Sequence, residues 1–386
     1  MKSKQLLILA GLWFMLLPGS MIQADPLPAG ADDRIELSLR SSSAAEYKTT
    51  VSISSRKWKK WLSSMEQAGN LPQPAPAYSV LELAAPASNG TRQLYRVYSV
   101  ESGAYLLELD SRTVYRTPEE MKTDIDRLRQ ELAARHFGKL LTWTEVDKLM
   151  PKGTVLSITD LETGLTFQGQ RRAGSAHMDV QPLTKEDTAI MKTIYGGQWS
   201  WQRKAVLVKT PSGVVGASMH GMPHGGDGIP GNNFNGHFCI HFAGSITHGS
   251  AHSDPAHQAM AQKAAGQLED YHKSLSPLDT VKLFLVAVNQ KDRHLLELLL
   301  NTGAETGLAA EWLDDRVLNA RPIGEPPAPF RIPEDALEAQ FKTRVGISRK
   351  GARPQGIWFR WSLSRTTPAG AWFITDIQPE AVIRGN

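Results

Sequence analysis

Histidines and the only cysteine of this chain are concentrated in one stretch. Seven of the eleven histidines lie together with Cys239 between positions 218 and 257. Imidazoles beside a thiol can act as general bases, favour the thiolate or bind a metal ion together with it. The stretch is also rich in glycine and asparagine, so it is poorly suited to a core. We therefore predict that residues 218–257 form an active-site loop.

Cys239 has no partner for an internal disulfide, because it is the only cysteine. A lone cysteine is often a buried and inert residue. Here His237 and His241 flank it at two-residue spacing, and imidazole neighbours favour the thiolate. We interpret Cys239 as a reactive thiol.

The residues around Cys239 resemble the motif of the L,D-transpeptidase family of the YkuD type. That motif is a histidine, about fifteen residues, and then Ser/Thr-His-Gly-Cys. In this chain His220 is followed, after fifteen residues, by Gly236, His237, Phe238, Cys239, Ile240 and His241. The resemblance implies that Cys239 is the acyl-accepting nucleophile, His220 the general base and His237 a supporting group beside the oxyanion site.

Substrate binding is also implied by this resemblance, which covers residues 141–272. The residues placed at the substrate are Asn235, Gly236, Phe238 and His241. Gly236 replaces Ser/Thr of the motif, Phe238 replaces its glycine, and His241 stands where a basic carboxylate-binding residue is expected. The chemistry needs no cofactor.

Two alternatives stay open. The spacing Ser-x-His-x6-Asp over Ser218, His220 and Asp227 resembles zinc peptidases of the D-Ala-D-Ala type, with Asp254 and His257 as the later acid and histidine. On that interpretation His220, Asp227 and His257 would bind zinc. The other alternative is a non-catalytic protein that binds the cell wall through a histidine-rich loop.

The amino terminus predicts export. Residues 1–24 have a lysine-bearing start, an apolar run over residues 6–17 and a small residue, Ala24, before Asp25, as in a secretory signal peptide. Loss of Lys2 and Lys4 with this segment lowers the formal charge from +4 to +2, too weak to indicate a nucleic-acid partner. No later segment is long and apolar enough for a membrane helix. The expected location is extracytoplasmic, in the cell wall or periplasm.

The element pattern predicts a multidomain α+β protein, in which a β-rich L,D-transpeptidase-like domain lies between two small α+β domains. We assign a module to residues 33–116, a helical connector to 117–140, the catalytic domain to 141–272 and a helix-then-sheet domain to 276–386. The last resembles the cone-shaped fold of the nuclear transport factor two and SnoaL-like group. Its Trp358, Trp361 and Trp372 are at strand spacing, which is more typical of a core than of a pocket.

Several local features carry these assignments. A capping box at Thr117 with Pro118 at the first helical position predicts a helix to about His136. Residues 204–220 predict a hairpin that places His220 at a strand end. Asp254 or Ser253 as the cap, with Pro255 at the first helical position, predicts the start of one helix that continues to about residue 275. Arg171, Arg172, His177 and Asp179 fall in a predicted loop.

Together these features predict an exported cell-wall enzyme. Its expected partner is peptidoglycan, on whose stem peptides it would act through a cysteine acyl-enzyme of the L,D-transpeptidase or L,D-carboxypeptidase type. The pattern does not predict an oligomeric state.

Overall fold

The computed structural model describes residues 34–69, 71, 78–87, 91–100, 102–226, 228–247, 252–300, 312–324 and 331–380. The predicted signal peptide, Asp227 and His248 lie outside the described residues. Helices and three antiparallel sheets confirm an α+β arrangement. Among the described residues, no helix combines the length and the apolar character that crossing a membrane requires.

The amino-terminal sheet has seven strands in the order β2-β1-β4-β5-β6-β7-β3. They are β1 (Ile35–Arg40), β2 (Thr49–Ile53), β3 (Glu66–Ala68), β4 (Val80–Pro86), β5 (Arg92–Val100), β6 (Gly103–Glu108) and β7 (Val114–Arg116). Helices α1 (Arg56–Ser63) and α2 (Glu119–His136) cover its apolar face. The capping box at Thr117 was a wrong prediction: its hydroxyl donates to the Ala104 carbonyl, and Pro118 takes the N-cap position.

A closed six-stranded barrel holds the central part of the chain, in the order β10-β13-β12-β11-β8-β9. Its strands are β8 (Val155–Asp160), β9 (Thr166–Ala173), β10 (Met178–Pro182), β11 (Arg203–Thr210), β12 (Gly213–His220) and β13 (Phe238–His241), with helices α3 (Trp143–Leu149) and α4 (Lys185–Ile194) packed against it. The predicted hairpin over residues 204–220 is confirmed as β11 and β12.

The loop predicted around residues 171–179 was wrong. Arg171 and Arg172 lie in β9, and Asp179 lies in β10, where it pairs with Cys239 of β13. Only His177 lies in the turn that precedes β10. Strand β10 pairs with β9, which directly precedes it, and with β13, about sixty residues later in the chain. The second pairing cannot be seen in the local sequence.

In the described part of the chain after the barrel, the helices are α5 (Pro255–Ala264), α6 (Leu268–Lys273), α7 (Pro277–Gln290) and α8 (Arg293–Leu300). The Asp254 carboxylate accepts from the backbone N–H groups of Ala256 and His257, which confirms the predicted cap. The single helix predicted from Asp254 is two helices, because Gly266 adopts a left-handed conformation (φ +67°) just after α5.

The carboxy-terminal sheet has the order β14-β15-β16-β17, with β14 (Val317–Pro322), β15 (Glu338–Arg349), β16 (Gln355–Ser364) and β17 (Phe373–Pro379). Trp361 and Trp372 are buried in its core, as their spacing predicted, whereas Trp358 is 38% exposed. This core continues into the barrel wall at Leu161 and Leu207. The division into domains stays a prediction.

Candidate active site around Cys239

Strand pairing determines which side chains surround Cys239. Asp179 of β10 lies opposite Cys239 of β13, and Ser218 of β12 lies opposite His241. His220 ends β12, and His177 precedes β10 by one residue. Closure of the barrel therefore collects side chains from three strands around one sulfur atom.

Two segments of the loop between β12 and β13 pair through the backbones of His224 and His237, next to Gly236. We call this contact the loop crossing. The backbone N–H of His224 donates to the His237 carbonyl (3.0 Å), and the N–H of His237 donates to the His224 carbonyl (2.7 Å). Gly236 has φ +102°, and a Cβ there would lie 2.3 Å from the His224 carbonyl oxygen. Only glycine fits this crossing, which brings His224 to the β13 end of the barrel.

The side chain of Gln181 in β10 is hydrogen-bonded to the same loop at two positions. Its side-chain amide donates to the Gly236 carbonyl, and its Oε1 accepts from the backbone N–H of Ile229 at 2.6 Å. Gln181 is 1% exposed. A buried and fully engaged amide of this kind holds the loop in one position.

His224 contacts the thiol directly. Its Nε2 lies 3.4 Å from Cys239 Sγ, and its Nδ1 lies 3.0 Å from the Met222 carbonyl oxygen. Because a carbonyl only accepts, Nδ1 carries the proton in the neutral ring and Nε2 presents its lone pair to the sulfur. Asp179 Oδ1 approaches Sγ from the other side at 3.8 Å.

His220, the predicted base, also lies close to the thiol, but it is more deeply buried than His224. Its exposed fraction is 3%, and its ring centroid lies 5.1 Å from that of His224. Burial and the neighbouring His224 lower the pKa of His220 to about 2. Its Nδ1 is buried and has no hydrogen-bond partner within the described ranges.

Three further imidazoles form a stack on the inner side of the site. The ring centroids of His177 and His241 are 4.5 Å apart, and those of His241 and His257 are 3.7 Å apart. The stack ends in polar contacts: His177 Nδ1 donates to the Ile246 carbonyl (2.7 Å), and His257 Nδ1 lies 2.9 Å from the Ser218 hydroxyl.

The resting thiol is neutral. Burial raises the pKa of the Cys239 thiol well above its ordinary value, and the nearby Asp179 carboxylate raises it further. The prediction that flanking imidazoles favour the thiolate was therefore wrong. Loss of hydration disfavours the anion more than neutral rings can stabilise it.

The structure brings Cys239, His220 and His237 together: each histidine has a ring nitrogen within 4.8 Å of Sγ. It separates the predicted substrate-binding residues. Phe238 is fully buried in the barrel core and His241 is 2% exposed, so neither faces an open surface, and Gly236 serves the loop crossing. Asn235 is exposed and lines a groove of about 430 Å³ formed by the loop at residues 228–235.

The zinc set predicted from sequence stays a prediction. Asp227 lies outside the described residues, and His257 is absent from every group of neighbouring ligand atoms in the described part of the chain. Instead, Sγ of Cys239 belongs to three such groups, together with His177 and His241, with His220 and His224, or with Asp179 and His237.

Trp201 stands over the site from the solvent side. Its ring centroid lies 4.7 Å from that of His220 and 5.4 Å from that of His224, while the residue is 49% exposed. His224 and His237 are partly exposed next to it. The accessible side of the site is therefore the one formed by these three rings.

Sequence reasoning missed His224, Asp179 and Gln181. A second histidine four residues after His220 was visible in the sequence, and it lies fifteen positions before Cys239.

No family model matches this chain, and no curated protein matches it in sequence.

Proposed function

We propose that the chain is an exported cell-wall enzyme that acts on peptidoglycan stem peptides through a cysteine acyl-enzyme, of the L,D-transpeptidase or L,D-carboxypeptidase type. One observation carries the proposal: the Sγ–Nε2 distance of 3.4 Å between Cys239 and His224, whose Nδ1 is oriented by the Met222 carbonyl. A thiol, a base and a third group that orients the base form the arrangement required for nucleophilic catalysis.

The base in this proposal is His224 rather than His220. The pKa of His220 is lowered to about 2, so its ring accepts a proton poorly. His224 is in contact with the thiol and keeps its Nδ1 proton on the Met222 carbonyl. That carbonyl also stabilises the imidazolium that forms when Nε2 takes up a second proton.

The reaction starts from the neutral thiol. As Sγ attacks the acyl carbonyl of the peptide, the thiol proton passes to His224 Nε2 and a carbon–sulfur bond forms. His224 then returns this proton to the departing amine as the carbon–nitrogen bond breaks. Water or a second amine, deprotonated by His224, then attacks the acyl carbon. The carbon–sulfur bond breaks, and His224 returns the proton to Sγ, which restores the neutral thiol. Water gives the carboxypeptidase outcome and an amine gives the transpeptidase outcome.

Substrate reaches the thiol from the side of Trp201, His224 and His237. The exposed Asn235, in the groove formed by residues 228–235, offers amide hydrogen bonds to a peptide. The proposal gives His241 and Phe238 no substrate contact, because His241 lies between the rings of His177 and His257 and Phe238 packs in the barrel core.

The test is the rate of acylation by a carbapenem, followed by intact mass. Cys239→Ser abolishes the adduct. His224→Ala lowers the rate by about two to four orders of magnitude near neutral pH, the range for a positioned acid–base group. Its rate then recovers as the pH rises, and because burial raises the thiol pKa, recovery extends above the ordinary cysteine range. The exposed His252→Ala serves as the matched control.

The opposite pattern would contradict the assignment. If His220→Ala shows the large loss that high pH rescues while His224→Ala reacts normally, the base is His220. If no variant and no pH gives an adduct, but insoluble peptidoglycan still retains the protein, the wall-binding alternative stands.

A further inference from the structure

The spacing of the thiol and its two nearest basic rings fits a metal ion as well as a hydrogen bond. Ligand atoms of Cys239, His220 and His224 lie within 4.8 Å of one another. Zinc–sulfur and zinc–nitrogen bonds of about 2.3 and 2.0 Å at a tetrahedral angle hold their two ligand atoms about 3.5 Å apart. The Sγ–Nε2 distance between Cys239 and His224 is 3.4 Å.

Two further contacts point to a ligand. Metal-binding histidines use their second ring nitrogen to donate to a carbonyl or carboxylate, which orients the ring, and His224 Nδ1 donates in this way to Met222. His220 is 97% buried, and its Nδ1 has no hydrogen-bond partner among the residues that the structure describes. A buried unsatisfied nitrogen costs free energy that a bound cation would recover.

We propose that Cys239, His220 and His224 bind one divalent ion of the zinc class, with a fourth position open on the side of Trp201. Thiolate and imidazole are the donors that such an ion prefers. The other two groups around Sγ are less suited. In the first, the ring nitrogen of His177 that is not used on the Ile246 carbonyl, Nε2, faces Asp179 Oδ1 at 3.3 Å. The group that includes Asp179 and His237 provides one nitrogen only.

Metal binding and acylation use the same sulfur. When the ion binds, the Cys239 thiol releases its proton to solvent and the thiolate becomes a ligand. An occupied site cannot attack a carbonyl through that sulfur, so the ion and the acylating substrate compete. The metal site itself rests on the geometry of the cluster and does not require that the protein catalyse acyl transfer.

The first experiment titrates the full chain, treated with chelator, with cobalt(II). We expect one equivalent to bind with a sulfur-to-cobalt charge-transfer absorption that zinc abolishes by displacement. Cys239→Ser removes this absorption. His220→Ala and His224→Ala each weaken binding at least tenfold, the lower end of the loss expected even for a supporting partner. His252→Ala leaves it unchanged.

Unfolding midpoints show whether the variants fold. If the variant of the buried residue, His220→Ala, does not fold, the variant of the partly exposed residue, His224→Ala, decides the result. The proposal is overturned if the wild-type chain shows no charge-transfer absorption or if Cys239→Ser retains full affinity. It is equally overturned if His177→Ala weakens binding while His220→Ala and His224→Ala do not.

A second experiment separates this site from the proposed function. One equivalent of zinc should block carbapenem acylation of Cys239, and chelator should restore it. If the metal-free chain is never acylated although cobalt binds as described, the proposed function fails and the metal site stands. If zinc leaves acylation unchanged, the ion does not bind the sulfur and the metal site fails.

Discussion

Gly236→Ala tests whether the loop crossing positions the base. A Cβ at this position would lie 2.3 Å from the His224 carbonyl oxygen, and Cβ contacts below 3.0 Å are essentially never seen. The two segments must therefore separate by at least about 0.7 Å. A displacement near 1 Å costs about a hundredfold in rate. We expect about this loss in the acylation rate of Cys239, because His224 moves away from the thiol.

The matched control is Gly231→Ala in the same loop. Gly231 also has a left-handed backbone (φ +78°), but a Cβ there meets nothing within 4 Å. Gly231→Ala should lose about 1–2 kcal/mol of stability through its strained backbone, and Gly236→Ala should lose more because its Cβ also forces the two segments apart; denaturant unfolding measures both losses. Only Gly236→Ala should lose acylation, followed by intact mass with a carbapenem. Equal acylation rates in the two variants would refute the positioning role of the crossing.

Two further predictions concern stability. Burial lowers the pKa of His272 from 6.5 to about 4, so its contribution is full above pH 6.5 and is lost as the pH falls towards 4, by about 3 kcal/mol in total. Denaturant unfolding between pH 7.5 and 4.5 should show a smaller loss for His272→Gln, and equal losses would contradict the assignment. Lys263 is buried between Glu162 (2.8 Å) and Asp292 (2.9 Å). Lys263→Met should destabilise the fold by about 3 kcal/mol, the lower end of the range for a buried pair, since two partly buried carboxylates lose their cation. In the same unfolding measurement, a loss below 1 kcal/mol would show that the ion pairs of Lys263 contribute little to the stability of the fold.

Local patterns predicted the elements that depend on neighbours in sequence. The hairpin that ends at His220 and the helix start at Asp254 were visible because turns and caps act within a few residues. Strand β10 was missed because its five residues pair with β13 and β9. Strand formation depends on such partners more than on intrinsic preference.

At the candidate site, too, residue types could be predicted from the sequence, whereas contacts between distant segments could not. Cys239 and His220 could be found because their residue types carry chemistry. The contact of His224 with Sγ depends on the positive φ of Gly236 and on its buried hydrogen bond from Gln181. Neither can be read from residue spacing. The raised pKa of the thiol was equally hidden, since burial is a property of the closed barrel.

Cys239 lies on the seam that closes the barrel, where β13 pairs with β10 on one side and β12 on the other. Its exposed fraction there is 3%, so a reagent in bulk solution reaches the sulfur only when the rings of Trp201, His224 and His237 move aside or the strands at this seam separate. Because the chain has one thiol, the labelling rate of the native protein, compared with that of the unfolded chain, gives the free energy of these openings together. The same atom therefore reports, without denaturant, how often the site opens in the native protein.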